Sequence, residues 1–478
     1  MVIKTAFHDA PVFIKNLVFI FLLIGFGTKA GIVPLHIWLP YAHPQAPSHI
    51  SSLMSGVMIK TAIYGIIRFI IFILGPTSLW WGNLILILAV FSGIVGVIYA
   101  LMEQDLKKLL AYSSVENIGI ILLGIGAALV FLKLNFPVLA VFSLAAGLYH
   151  LINHAIFKGL LFLCAGSVYK ATGTRDMEKL GGLIKKMPWT AMAFLFGAMS
   201  ISALPPLNGF VSEWLTLQVF FIGAFSVSSG LKVFFAICAA MLALTGGLAA
   251  ACFVKAFGIT FLAIPRSTKA KEAQEVSFSM KAGMIFLSLL TLLFGLGAAI
   301  IFRILVKIAQ SVVARELPPI SFSLNNFTLN IQEGNFIYLS LPAIALLLAV
   351  TMLVAFFIYR AKGKVKKYNT WDCGYYKIGS RNEYTATAFS KPFRIAFGFF
   401  LKPYRKTEKI RESFYHIKTF RYETFTTPVF RKYIYQPIVA FMFGLARFMR
   451  RIQPGSIHLY IAYIFATVVV LIMLVKVF

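Results

Sequence analysis

The sequence predicts an all-α fold, a polytopic transmembrane bundle of about ten helices with inverted-repeat organisation and two broken helices. Three observations predict it. Of 478 residues, 59% are hydrophobic and 13% charged, where soluble domains carry about 25% charged residues. Apolar runs recur at lengths suited to the roughly 20 helical residues that cross about 30 Å of hydrocarbon, far too long for barrel strands. Helix breakers cluster inside two of the runs, each time beside an ionisable residue.

In chain order the apolar runs fall near 13–33, 49–74, 79–102, 110–132, 137–168, 189–224, 232–263, 282–306, 338–359 and 457–477. Lys4 precedes the first, but no small-residue cleavage site closes it, so it is expected to remain as a span rather than leave as a signal peptide. Lys and Arg collect in alternate loops: Lys107 and Lys108; Lys170, Arg175, Lys179, Lys185 and Lys186; then Arg266, Lys269, Lys271 and Lys281. The loops near 133–137, 225–231 and 307–337 are apolar or polar, and the alternation places the basic loops in the cytoplasm. The net charge of +29 would suggest nucleic acid as partner of a soluble chain. Between apolar runs it reads as topology, and no nucleic-acid partner is expected.

Residues 360–451 hold 21 basic and 5 acidic residues, a net of +16. This segment is expected in the cytoplasm. Near 430–450 it mixes Phe, Ile, Leu and Met with Arg and Lys as an interfacial amphipathic helix does, or as a solvated tail attracted to anionic lipid. The organisation is then a core over 1–265 with its first repeat incomplete, further helices over 266–360, a basic segment over 361–456 and a last helix over 457–478.

In the first break Gly31 and Pro34 follow Lys29, with Pro40, Pro44 and Pro47 soon after; in the second Pro205, Pro206 and Gly209 precede Glu213. Irregular backbone at membrane depth is tolerated where it is buried in protein or lines a wet cavity, and paired breaks point to a transport pathway. The later unit runs three helices, a broken helix, one helix. A like-built earlier unit needs three helices ahead of Lys29, so an N-terminal portion is expected to be absent or encoded elsewhere.

Charge at bilayer depth is costly and marks function by default. Lys60 lies mid-span, either in a pathway or paired structurally with a carboxylate. His150, His154 and Lys158 recur every four residues and stack on one helix face. Imidazoles titrate near physiological pH, so such a row can pass protons; a metal site and a structural polar seam are the alternatives, and no carboxylate or thiolate shares the face. Lys29 and Glu213 sit beside the breaks, in a pathway or as interface anchors. Lys255 lies in the later half of its span, in a pathway or snorkelling to the interface. Glu116 and Asp105 are expected near a helix start on the cytoplasmic side, collecting protons or, as the favoured reading, capping or pairing with Lys107 or Lys108. His36, His43 and His49 lie in the proline-rich stretch with no single reading. Cys164, Cys238, Cys252 and Cys373 are scattered, without spacing for zinc, haem or an iron–sulfur cluster. No cofactor or metal is expected, and redox chemistry would belong to another chain.

GTKAGIVPLHIWLPYAHPQAPS, DLKKLLAYSSVENIG, HLINHAIFKGLLFL and PPLNGFVSEW resemble the antiporter-like proton-pumping subunits shared by respiratory complex I, Mrp-type cation antiporters and membrane-bound group 4 hydrogenases, over most of residues 20–265. WDCGYYKIGSRNEYTATAFSKPFR and RRIQPGSIHLYIAYIF are similar to the hydrogenase-4 and formate hydrogenlyase branch. The resemblance implies that Lys29 is the broken-helix lysine, whose glutamate partner lies upstream of this chain. It implies that Lys60, His150, His154 and Lys158 form a central relay and that Glu213 ends it. It further implies other membrane subunits and a soluble hydrogenase or quinone-reducing module as partners, nickel, clusters, NADH or formate held by those partners, and a prokaryotic cytoplasmic membrane as the site. The rival expectation is a sodium/proton antiporter subunit that works without electron transfer; a third is a scaffold that only anchors a hydrogenase.

Overall fold

A computed structural model describes residues 10–313, 327–330, 336–339, 341–361, 371, 373–375, 377–411, 417–452 and 455–475. Their contacts divide the chain into two units, Met1–Ala396 and Phe397–Phe478.

The first unit opens with α1 (Val12–Ala30), which ends where Gly31 turns left-handed and its N–H returns to Gly27 O and Thr28 O. After an irregular stretch, α2 (Leu39–Gln45) completes the first broken helix. Polar side chains fill the freed backbone groups, as a break at depth requires: Trp38 Nε1 donates to Thr28 O at 2.7 Å and Val33 N to Ser92 Oγ at 3.0 Å. Next come α3 (Ser48–Leu74), α4 (Leu79–Met102), α5 (Leu106–Lys133) and α6 (Pro137–Thr172). Two π-helical stretches in α3, Met54–Met58 and Ile66–Leu74, flank Lys60.

The second break separates α7 (Pro188–Ile201) from α8 (Asn208–Ser226). Then follow α9 (Ser229–Phe261), α10 (Thr268–Glu272), α11 (Phe278–Leu296) and α12 (Ala298–Val313). The sequence predicted one span over 282–306; the structure places two helices there, because α11 stops at Gly297. A Cβ at Gly295 would lie 2.1 Å from Pro206 O, so the end of α11 closes on the second break. A short hairpin, β1 (Phe327–Asn330) with β2 (Phe336–Leu339), precedes α13 (Leu341–Ala361), and α14 (Ala386–Ala396) ends the unit.

The second unit holds α15 (Gly398–Leu401), the antiparallel pair β3 (Tyr404–Arg411) and β4 (Ile417–Phe425), then α16 (Gln436–Ile452) and α17 (Ile457–Val475). In the stretch near 430–450 a π-helical turn, Arg431–Tyr435, leads into α16. Among the described residues nine helices are long and apolar enough to cross a membrane: α1, α3, α4, α5, α6, α8, α9, α11 and α17. The two hairpins are the strands that the all-α reading did not contain.

The apolar window of α5 is wholly buried, which makes it the axis of the first unit, with α4 and α6 packed along it. Glycines set how close they come. A Cβ on Gly96 of α4 would lie 2.5 Å from Glu116 N, and one on Gly124 of α5 2.8 Å from the Cα of Gly147 on α6. Small residues at such crossings let backbones approach and let short polar side chains reach across. Gly124→Val is expected to lower the thermal midpoint of the detergent-purified protein sharply, by forcing α5 off α6. Gly258→Ala, where nothing lies within 4 Å of the added atom, is expected to leave it unchanged.

Candidate functional site

Short polar side chains on α3, α5, α6 and α8 join into one buried row. On α6 the four-residue repeat places His150, His154 and Lys158 inside the bundle, all fully buried. The Lys158 ammonium donates to Leu110 O at 2.9 Å and to Ser113 Oγ, both on α5. Leu110 O also accepts from Ser114 Oγ at 2.9 Å. With its proton so placed, Ser114 accepts from Ser55 of α3 at 2.8 Å, and the Lys60 ammonium donates to Ser55 O. Lys60 and Lys158 are thus linked through the hydroxyls of Ser55 and Ser114 and two carbonyls, Ser55 O and Leu110 O.

The row continues along α5. Asn117 Nδ2 donates to Ser113 O at 2.8 Å, which turns its Oδ1 toward His150 at 3.2 Å. His150 Nε2 therefore donates to Asn117, and Nδ1, 2.9 Å from Ser212 Oγ, accepts from that hydroxyl. Ser212 lies on α8, one residue before Glu213. Asn153 of α6 ties down the start of α8 by donating to Asn208 O at 2.8 Å and to Ser212 Oγ at 3.2 Å.

Glu213 is buried, and α9 meets it at a glycine: a Cβ on Gly246 would come within 3.3 Å of its carboxylate. His154 and His43 are buried with both ring nitrogens lacking a hydrogen-bond partner among the described residues, and Glu116 has one such carboxylate oxygen. His43, from the first broken helix, stacks on Phe162 of α6 at 4.8 Å, one turn from Lys158. Among the described residues no three His, Cys, Asp or Glu side chains gather where they could hold a metal ion.

Lys255 does not snorkel. It is buried on α9, and its ammonium meets Leu101 O at 2.7 Å, Glu103 O at 2.6 Å and Ser390 Oγ at 3.2 Å. Burial pushes the carboxyl of Glu103, between α4 and α5, above the usual carboxylate range, against the opposing pull of Lys108 and Lys255.

Lys29 is exposed among the described residues. The buried stripe of α1 is Phe19, Leu23, Gly27 and Ala30, and a residue two past Gly27 points about 200° away from it. Glu116 is a correction. It lies ten residues into α5, buried among Lys158's neighbours rather than near the helix start, because α5 begins earlier than the apolar run. Asp105 caps α5, accepting from the backbone N–H of Lys107 and Lys108, and pairs with Arg175 at 3.2 Å.

Sequence reasoning passed over Ser55, Ser113, Ser114, Asn117, Asn153 and Ser212. The available signal was small polar residues recurring in otherwise apolar helices. Asn117→Ala removes the bridge between His150 and Ser113 and leaves a buried imidazole donor unfilled, so it is expected to destabilise the protein by about 1–3 kcal/mol. Detergent-phase thermal unfolding measures this.

The family model described as the NADH:quinone oxidoreductase/Mrp antiporter transmembrane region matches residues 5–243. The chain is 41% identical over 477 residues to hydrogenase-4 component B of Escherichia coli, covering 97% of this chain and 70% of that protein. It is 38% identical over 390 residues to formate hydrogenlyase subunit 3 of the same organism, covering 80% and 60%. Among solved structures, the archaeal membrane-bound sulfane sulfur reductase complex contains a chain of the same fold, with a TM-score of 0.77 at 24% identity, covering 98% of this chain and 70% of that one.

Proposed function

The chain belongs to the NADH:quinone oxidoreductase/Mrp antiporter family of membrane proteins, and from that premise we propose that it is the proton-translocating subunit of a hydrogenase-4-like or formate hydrogenlyase-like complex. The observation that carries this reading is the buried polar row from Lys60 through Ser55, Ser114, Leu110, Lys158, Ser113, Asn117 and His150 to Ser212, beside Glu213, in which Ser55 and Ser113 each bond one neighbour through the backbone carbonyl and the other through the hydroxyl. The lysines and the imidazole can hold a proton and the hydroxyls can exchange one, while the carbonyls and the Asn117 amide only accept hydrogen bonds, so a proton crosses those points by a side chain turning to the next group. A charge gained at one ammonium raises the energy of the next through a poorly screened interior. Lys60 receives the disturbance, Lys158 and the two histidines pass it on, and Glu213 is the last group.

Redox chemistry resides in partner subunits, a hydrogenase or quinone-reducing module on the side of the basic loops. Those loops face the cytoplasm of a prokaryotic cell, and the basic stretch after residue 360 lies against anionic lipid.

Lys158→Met in membrane vesicles carrying the assembled complex is expected to cut proton uptake driven by the electron donor by about tenfold or more, with the subunit still present in the complex. Uptake unchanged by Lys158→Met would overturn the relay. Proton movement driven by a sodium gradient with no electron donor present would assign the chain to sodium/proton exchange instead.

A further inference from the structure

The α14 helix is held on the first unit by polar contacts spread along its approach and length. Glu383 pairs with Arg266 at 3.2 Å in a nearly buried bridge and accepts from Ile264 N at 2.5 Å. Thr387 donates through N and Oγ1 to Glu178 Oε1 at 2.7 and 2.6 Å, and its hydroxyl accepts from Gln104 at 2.6 Å. Ser390 Oγ lies 2.6 Å from Leu101 O and 3.2 Å from the Lys255 ammonium. A protonated lysine has three N–H donors, and here all three are met: Leu101 O, Glu103 O and Ser390 Oγ. While these bonds stand, no donor remains for a water molecule. Two acceptors are the fixed carbonyl end of α4. The third and longest comes from a short helix whose chain runs on directly into residue 397.

Lys255 also adjoins the row. Cys252, three residues before it on the same face of α9 and buried, lies within electrostatic reach of both Lys255 and Lys158. We propose that α14 is a stopper at the basic-face end of the row, and that Ser390 is a positioning residue that holds Lys255 out of contact with water until α14 lifts. The proposal rests on the proton-translocating reading and adds to it the point at which water gains access. Lifting α14 removes the Ser390 oxygen, frees one N–H of Lys255 and opens the ammonium to solvent, so a proton can leave to water or return from it.

The test is a reversible clamp. In Cys373→Ser, which removes the exposed cysteine, Glu178→Cys and Thr387→Cys are joined by a short reducible bis-thiosulfonate in vesicles carrying the assembled complex. Donor-driven proton uptake is expected to fall about tenfold on clamping, as for other lids that must move, and to return on reduction. Uptake unchanged by a complete clamp overturns the stopper, while loss of uptake in Lys158→Met still supports the row; the two ideas fail separately. In the unclamped protein, Ser390→Ala is expected to raise the passive proton permeability of de-energised vesicles several-fold, with Ser390→Thr restoring the seal. Permeability equal in Ser390→Ala and the parent protein overturns the role of Ser390, since a purely structural residue would alter amount and stability but not the leak per molecule.

Discussion

A charge taken out of water persists only where fixed acceptors replace its hydration, and four buried lysines, Lys60, Lys107, Lys158 and Lys255, impose that condition on the first unit, Lys107 meeting Ala46 O at 2.8 Å. Each is met chiefly by backbone carbonyls. Lys60 turns to Ser55 O, Lys158 to Leu110 O, and Lys255 to Leu101 O and Glu103 O. Carbonyls suit the task because they accept protons in hydrogen bonds without becoming charged partners. A carboxylate in the same place would trap the proton in a tight pair, whereas a carbonyl stabilises the ammonium and still lets it exchange.

Helix spacing follows from this demand. The groups that join the lysines are serine and asparagine, whose side chains reach only a short way, so the helices bearing them must touch at backbone distance. Gly96 against Glu116 and Gly124 against Gly147 provide that approach on the two sides of α5. The π-helical stretch at Met54–Met58 lies just ahead of Lys60 and contains Ser55, which offers its carbonyl to the lysine and its hydroxyl to Ser114. Leu110 O, accepting from both Lys158 and Ser114, is the junction where the two lysines meet.

Hydropathy made most of the bundle legible, since apolar runs of sufficient length have one stable form in lipid. The four-residue spacing of His150, His154 and Lys158 also showed which groups share a face. Lys29 shows where such reasoning stops: a helix's composition does not say which of its faces meets a neighbour. The serines and asparagines of the row were hidden for a related reason, because each becomes a bridge only through the register between helices. Gly297 looked like any small residue in a span, and its role as the end of α11 depends on the packing of Gly295 against Pro206. The link between Lys255 and Ser390 crosses 135 residues of sequence, beyond the reach of any local pattern.

The two broken helices, conspicuous in the sequence, serve the row by bringing polar groups to it that unbroken helices could not. At the second break, Asn208 and Ser212 stand in the first turns of α8, where the chain has just turned inward, and they bond to Asn153 and His150 on α6. At the first, α2 carries His43 against Phe162 of the same α6. The two breaks thus converge on one helix, α6, close to either end of its His150–Lys158 stretch. One supplies Ser212, bonded to His150, and the other an imidazole buried beside Phe162. A shift of α8 therefore bears on the α6 face through Ser212 and, one residue further along the same helix, on Glu213.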